Sequence, residues 1–146
     1  IFSEGKIIIS KSFKMGTVRL LSNKKSVNKD IFSNVEKWIK KNTADLKNLS
    51  LIGSGGNINK LFKMSGRLEG KPISFIYLNA QYQFLKQMSY QDRISELSLN
   101  PDRADVIIPA TKIYISAMKW SGATKIYVPK IGLSDGIIKS LYYNKL

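Results

Sequence analysis

The run Leu51-Ile52-Gly53-Ser54-Gly55-Gly56-Asn57-Ile58-Asn59-Lys60-Leu61 decides how this chain folds. The apolar stretch from Leu49 to Ile52 reads as a buried strand. A Gly/Ser-rich turn follows it, and Ile58 to Met64 continues as a helix. Strand, glycine turn and helix in that order are how α/β proteins build anion sites. Glycines let the backbone approach a phosphate, and the helix start aims free N–H groups at it. Gly53, Ser54, Gly55, Gly56 and Asn57 are therefore the candidate phosphate- or nucleotide-binding residues. The run has neither the Gly-Lys-Ser/Thr ending of a P-loop nor the spacing of the dinucleotide fingerprint. A tight strand-to-helix turn without a ligand stays open as the alternative.

Upstream, Ile1-Phe2 and Ile7-Ile8-Ile9 flank Glu4-Gly5, a hairpin signal, and Lys6 to Phe13 alternates as a strand until Met15-Gly16 breaks it. Val18, Leu20 and Leu21 begin a short apolar element. Ile31, Phe32, Val35, Trp38 and Ile39 form a helical stripe within residues 28–43, with Ser26 or Asn28 as N-cap. Downstream, Arg67 to Pro72 reads as a loop or small hairpin. Leu78, Tyr82, Leu85 and Met88 keep helical spacing, and Gln91 to Leu97 is a second short helix. Asn100-Pro101-Asp102 has helix-start chemistry, a capping side chain followed by Pro at the first position. That helix should run to about Trp120, with Pro109 kinking it or marking its true first turn, and Gly122 should close it. Lys125 to Val128 is a short strand. Ser134 should cap a last helix with Ile137, Ile138, Leu141 and Tyr142 as its stripe. The order predicts one α/β domain with few strands, a small mixed sheet with flanking helices.

Composition sets the chemistry available. The 146 residues suffice for one domain with a core. No apolar run approaches the roughly 20 residues of a membrane span, and the absence of an initiator Met points to a piece of a longer protein. Cysteine and histidine are both absent, which excludes zinc sites and histidine acid/base catalysis within the chain. Oxygen-ligand metals such as magnesium remain open. The net charge of +14 is mostly lysine, since the arginines are only Arg19, Arg67, Arg93 and Arg103. Such a balance favours polyanions, although lysines that merely solvate a face produce the same total. Among the ten carboxylates no pair converges for metal or acid/base work. Asp102 and Asp105 come closest, and they suit the positive end of a helix better than catalysis.

Several segments resemble the exopolyphosphatase / guanosine pentaphosphate phosphohydrolase (Ppx/GppA) family. They are Ser12-Phe13-Lys14-Met15-Gly16-Thr17-Val18-Arg19-Leu20, Ile52-Gly53-Ser54-Gly55-Gly56-Asn57-Ile58, Pro101-Asp102-Arg103-Ala104-Asp105-Val106-Ile107-Ile108-Pro109-Ala110, and the closing Gly132-Leu133-Ser134-Asp135-Gly136. They occur in the family's order and span nearly the whole chain. One departure is Gly55-Gly56-Asn57, where the family more often has Ser-Gly-Thr; backbone donation survives it, hydroxyl contacts do not.

The resemblance implies an RNase H-like domain of the actin-like ATPase superfold. This chain would be the second, C-terminal domain of a cytoplasmic bacterial enzyme. The parent would hydrolyse phosphoanhydrides of inorganic polyphosphate or guanosine pentaphosphate with Mg2+, and this domain would bind phosphate or nucleotide. The catalytic glutamate and the magnesium ligands would lie upstream, so no catalytic or metal residue is assigned here and the chain alone should be nearly inactive. Its partners would be the substrate and the N-terminal domain, with a homodimer as a further expectation and no membrane. Arg103 would face the cleft and grip phosphate as a planar fork, pairing with a neighbouring carboxylate being the plainer alternative. Lys11, Lys14 and Arg19 could line a polyanion channel, each being also an ordinary solvated cation. Two other classes compete: a basic nucleic-acid-binding module, and a ligand-free RNase H-like scaffold acting through protein contacts.

Overall fold

The computed structural model describes residues 1–143. Its first element is a hairpin of β1 (Phe2–Ser3) and β2 (Lys6–Ile7), antiparallel with Phe2 opposite Ile7. Glu4 and Gly5 turn it at φ 50° and 77°, the pair of left-handed conformations that a two-residue hairpin turn needs. The strand ends at Ile7, so residues 8–13 are not the strand that their alternation suggested. Ile8 and Ile9 still bond to Ile1 through the backbone, but the pairing goes no further, and Phe13 meets Trp38 edge-on at 5.7 Å.

Two helices follow, α1 (Thr17–Ser22) and α2 (Lys25–Thr43). Neither Ser26 nor Asn28 caps α2. The N-cap is Lys24, without a side-chain bond, and Asn28 lies one turn inside, donating through Nδ2 to the Leu20 carbonyl at 2.8 Å. Asn28 thereby ties α2 to α1. β3 (Leu51–Ile52) leads through the glycine turn into α3 (Gly56–Met64). Residues 67–72 are a loop. β4 (Ile73–Ser74) runs directly into α4 (Phe75–Gln87), whose first turn is capped when the Ser74 hydroxyl accepts from the Tyr77 N–H at 3.2 Å.

α5 (Tyr90–Ser95) starts one residue before the sequence pattern placed it, because Ser89 and Asp92 form a reciprocal capping box. α6 (Pro101–Ser121) is one continuous helix through Pro109, with Pro101 in its first turn and Gly122 closing it. Asn100 does not cap it with its side chain; its carbonyl accepts from Arg103 and Ala104. β5 (Lys125–Tyr127) and α7 (Leu133–Tyr143) complete the chain. Ser134 sits inside α7, and Asp135 reaches back instead, its Oδ2 accepting from the Gly132 N–H at 2.6 Å.

The strands form a mixed three-stranded sheet in the order β3-β5-β4, parallel between β3 and β5 and antiparallel between β5 and β4. Fully buried Ile126 of the central strand stands opposite Leu51 on one side and Ile73 on the other. The core gathers Ile58, Leu61 and Phe62 of α3, Leu78 and Leu85 of α4, and Ala104, Ile107 and Met118 of α6 against that sheet. α6 packs against α1, α2, α3, α4 and α5, so residues of its several faces are all engaged. Arg93 clasps this assembly, donating to the carbonyls of Met88 and Leu85 at the end of α4 and to Ala104 of α6. No residue of α7 is buried, and its stripe of Ile137, Ile138, Leu141 and Tyr142 faces solvent. The stripe has the expected period but nothing in the described residues covers it.

Candidate functional site

The glycine turn sits at the C-terminal edge of parallel strands β3 and β5, the usual place for a ligand in an α/β sheet. Each glycine there has its own reason. Gly53 continues the ladder, donating to the Tyr127 carbonyl at 2.8 Å, and is wedged against the core. A Cβ on it would stand 2.9 Å from Ile126 Cδ1 and 3.0 Å from Ile58 Cγ1. Gly55 has φ 107°, a conformation that side chains disfavour. Gly56 opens α3 beneath Arg103; a Cβ there would meet the guanidinium at 2.8 Å.

The donors of this turn are free. The N–H groups of Ser54, Gly55, Gly56, Asn57 and Ile58 bond to no protein acceptor among the described residues, and the first helical bond into the turn is from Asn59 N–H to the Gly55 carbonyl at 3.1 Å. Successive unpaired N–H groups at a helix start carry partial positive charge and suit an anion. The Asn57 Oδ1 is buried and has no donor among the described residues; being an acceptor, it does not itself attract an anion.

Arg103, from the first turn of α6, comes to this turn. It forms no ion pair with Asp102 or Asp105; Nη1 donates to the Gly56 carbonyl at 3.0 Å. Lys60 lies on the next turn of α3, its ammonium donating to the Leu97 carbonyl at 2.5 Å. Burial holds the Lys60 pKa below its ordinary value, with Lys63 and Arg103 adding repulsion. These three cations thus raise the local potential beside the free donors. A further residue escaped the sequence pattern: the Tyr114 hydroxyl of α6 donates to the Ser54 carbonyl at 3.2 Å. Burial raises its pKa above the ordinary 10.0. Ser54 also lines a groove of about 490 Å³ together with Gly132, Gly136 and Ile137 of the closing element.

The suggested channel residues are placed elsewhere. Lys11 and Lys14 are exposed in the segment before α1, and Lys11 lies 5.3 Å from the Phe13 ring. Arg19 is exposed on α1. None of them bonds to the glycine turn. Of the aromatic side chains on helices, Trp38 packs on Phe13 and Trp120 on Phe32, while Phe84 is exposed. Among the described residues no three Asp or Glu side chains converge. No helix among the described residues is long and apolar enough to cross a membrane.

No protein-family model matches the sequence, and no curated protein matches it. Solved structures do. The chain superimposes on the Aquifex aeolicus member of the Ppx/GppA family with a TM-score of 0.78 at 19% identity, covering 97% of this chain and 51% of that one. An exopolyphosphatase from Cytophaga hutchinsonii gives a TM-score of 0.77 at 18% identity, over 94% of this chain and 51% of that one. The type II variant of the Aquifex aeolicus Ppx/GppA phosphatase gives 0.63 at 20% identity, over 88% and 43%. The chain spans about half the length of the structures it matches. At such identities the shared property is the fold, and the fold of this chain is that of one half of a Ppx/GppA-type structure.

Proposed function

We propose that this chain is the C-terminal domain of the catalytic module of a Ppx/GppA-type phosphatase, built on the RNase H-like, actin-like superfold. The parent enzyme releases terminal phosphate from inorganic polyphosphate or guanosine pentaphosphate in the bacterial cytoplasm. This domain supplies phosphate binding through Ser54, Gly55, Gly56 and Asn57, with Arg103 beside them; Gly53, expected among the binding residues, has its N–H taken by the Tyr127 carbonyl and serves to shape the turn. The catalytic carboxylate and the ligands for Mg2+ belong to the companion N-terminal domain, so the chain alone is inactive. The observation that carries this reading is the array of five unpaired N–H groups at the β3–α3 junction, flanked by Arg103. A turn that served only to connect two elements has no need of an arginine drawn in from the start of α6. Oriented amides and a guanidinium neutralise a phosphate without a proton transfer, which is what a binding half-site contributes to phosphoryl chemistry.

Titration of tripolyphosphate into isotope-labelled chain, followed by backbone amide shifts at two salt concentrations, tests this. The expected result is salt-resistant shifts at residues 53–57 together with Arg103. Diffuse, salt-sensitive shifts over the lysines would instead mean a polycation meeting a polyanion, and would overturn the phosphate-site reading. Tight retention of duplex or single-stranded nucleic acid with no response at the glycine turn would replace it by the nucleic-acid-binding alternative.

A further inference from the structure

We infer that Tyr114 is a positioning residue that sets the direction of the phosphate-binding amides from behind, acting with Arg103 as a pair of hooks on the glycine turn. The inference rests on the phosphate-site reading for its function, and on geometry for its structure.

Arg103 and Tyr114 are eleven positions apart on α6, about three turns, so they project from one face of that helix. Both reach the same short turn. Tyr114 Oη donates to the carbonyl of Ser54 at 3.2 Å, and Arg103 Nη1 donates to the carbonyl of Gly56 at 3.0 Å. A peptide group is planar, and in a trans peptide the carbonyl and the following N–H point in opposite directions. Among the described residues there is no cis peptide bond. Holding the Ser54 carbonyl toward α6 therefore turns the Gly55 N–H away from α6. Holding the Gly56 carbonyl does the same for the Asn57 N–H. Two alternate donors of the turn are thus aimed by side chains that touch neither of them.

The turn needs such help. Gly55 and Gly56 have no side chains to fix their dihedrals, and glycine has the most conformational freedom to lose. Without the Tyr114 hook the Ser54–Gly55 plane could rotate, and a rotated plane presents a carbonyl oxygen to an anion instead of an N–H; the Gly56 carbonyl, at the first position of α3, is held by the helix as well as by Arg103. The hook at Ser54 is durable because burial keeps the Tyr114 phenol protonated well above neutral pH. The hook at Gly56 is charged at every ordinary pH. Tyr114 differs from Arg103 in one respect that makes it testable: it brings no charge to the site, so its removal changes geometry and leaves the electrostatics alone.

The test compares the wild-type chain with Tyr114→Phe and with Tyr114→4-aminophenylalanine, which restores an N–H donor at the same place. Backbone amide shifts and exchange rates are measured first without ligand, then with tripolyphosphate. In Tyr114→Phe we expect shifted, faster-exchanging amides confined to residues 54–58 and a five- to tenfold loss of tripolyphosphate affinity, with 4-aminophenylalanine recovering most of both. A purely structural role would be left by the rescue variant with unchanged affinity loss or would spread shifts over the core. Unchanged amides at residues 54–58 in ligand-free Tyr114→Phe overturn the inference, whatever the ligand does. Shifted amides with wild-type affinity overturn it as well, because orientation then has no bearing on binding. If the wild-type chain does not bind tripolyphosphate but the ligand-free shifts and their rescue appear, the positioning role stands and the phosphate reading falls.

Discussion

Arg103 donates to the carbonyl of Gly56 at 3.0 Å, and its guanidinium covers the point where a side chain on Gly56 would begin. The two residues are separated by 47 positions, and each restricts the other: the arginine is seated because the glycine is bare. Substituting Gly56→Ala should expel the guanidinium while leaving the core untouched, since the turn is exposed. We expect thermal stability within a few degrees of wild type and about a tenfold loss of tripolyphosphate affinity, corresponding to about 1.4 kcal/mol. Isothermal titration together with a melting curve checks both. Wild-type affinity in Gly56→Ala would remove Arg103 from the binding site.

Gly53→Ala should behave in the opposite way. The new methyl meets Ile126 Cδ1 and Ile58 Cγ1, both on fully buried residues. Overpacking of this kind costs about 1–3 kcal/mol. Urea denaturation should register that loss, and a change below about 0.5 kcal/mol would show that the β3–α3 corner relaxes more easily than its packing indicates.

The core and the last helix should differ sharply in what they contribute to stability. Ile126→Ala empties the centre of the sheet and should cost about 2–5 kcal/mol. Removal of residues 133–146 takes away no buried side chain of the described residues, and should shift the urea midpoint by much less than Ile126→Ala does. A truncated chain as destabilised as the core variant would contradict the exposed position of α7.

Alkaline pH offers a separate check on Tyr114. Its pKa is raised in the folded chain by burial, so the folded state holds the phenolic proton more tightly than the unfolded state does. The associated stabilisation is fully present below the unfolded value near 10.0 and is lost as pH rises through the folded value. Tyr77 is shifted in the same direction by its burial. Stability should therefore fall more gently above pH 10 in Tyr114→Phe than in wild type, measured by denaturant midpoints from pH 9 to 11. Identical slopes would mean that the Tyr114 hydroxyl is solvated.

The sequence made the glycine turn and the two helices beside it readable, because each is written in local chemistry. Gly53 to Asn57 interrupts an apolar strand, and Pro101 and Gly122 punctuate α6. What escaped was whatever depends on a distant neighbour. β4 is two residues long and exists only because β5 lies beside it, so no alternation marks it. Residues 8–13 alternate, but backbone pairing reaches only Ile8 and Ile9, at Ile1. Asn28 has capping chemistry, yet the Leu20 carbonyl claims its amide. Ser134 has the same chemistry and lost the position to Asp135. The resemblance directed attention to Arg103 but left open whether it pairs with Asp105; only the fold brings it to Gly56. Tyr114 could not be distinguished in sequence from any other aromatic on a helix, since its partner carbonyl is 60 positions away.

α6 touches all five of the helices that precede it and also carries both side chains that hold the glycine turn. The floor of the turn therefore belongs to the last part of the molecule to come apart. Fraying at the hairpin or at α7 leaves it undisturbed, whereas any excursion that exposes Ile107 must also let go of the Ser54 and Gly56 carbonyls. In hydrogen-exchange terms the amides of α6 should be among the most protected in the chain, opening only with the whole domain. An anion held by the turn would then slow exchange along the full length of α6, far from its own contacts, by mass action alone.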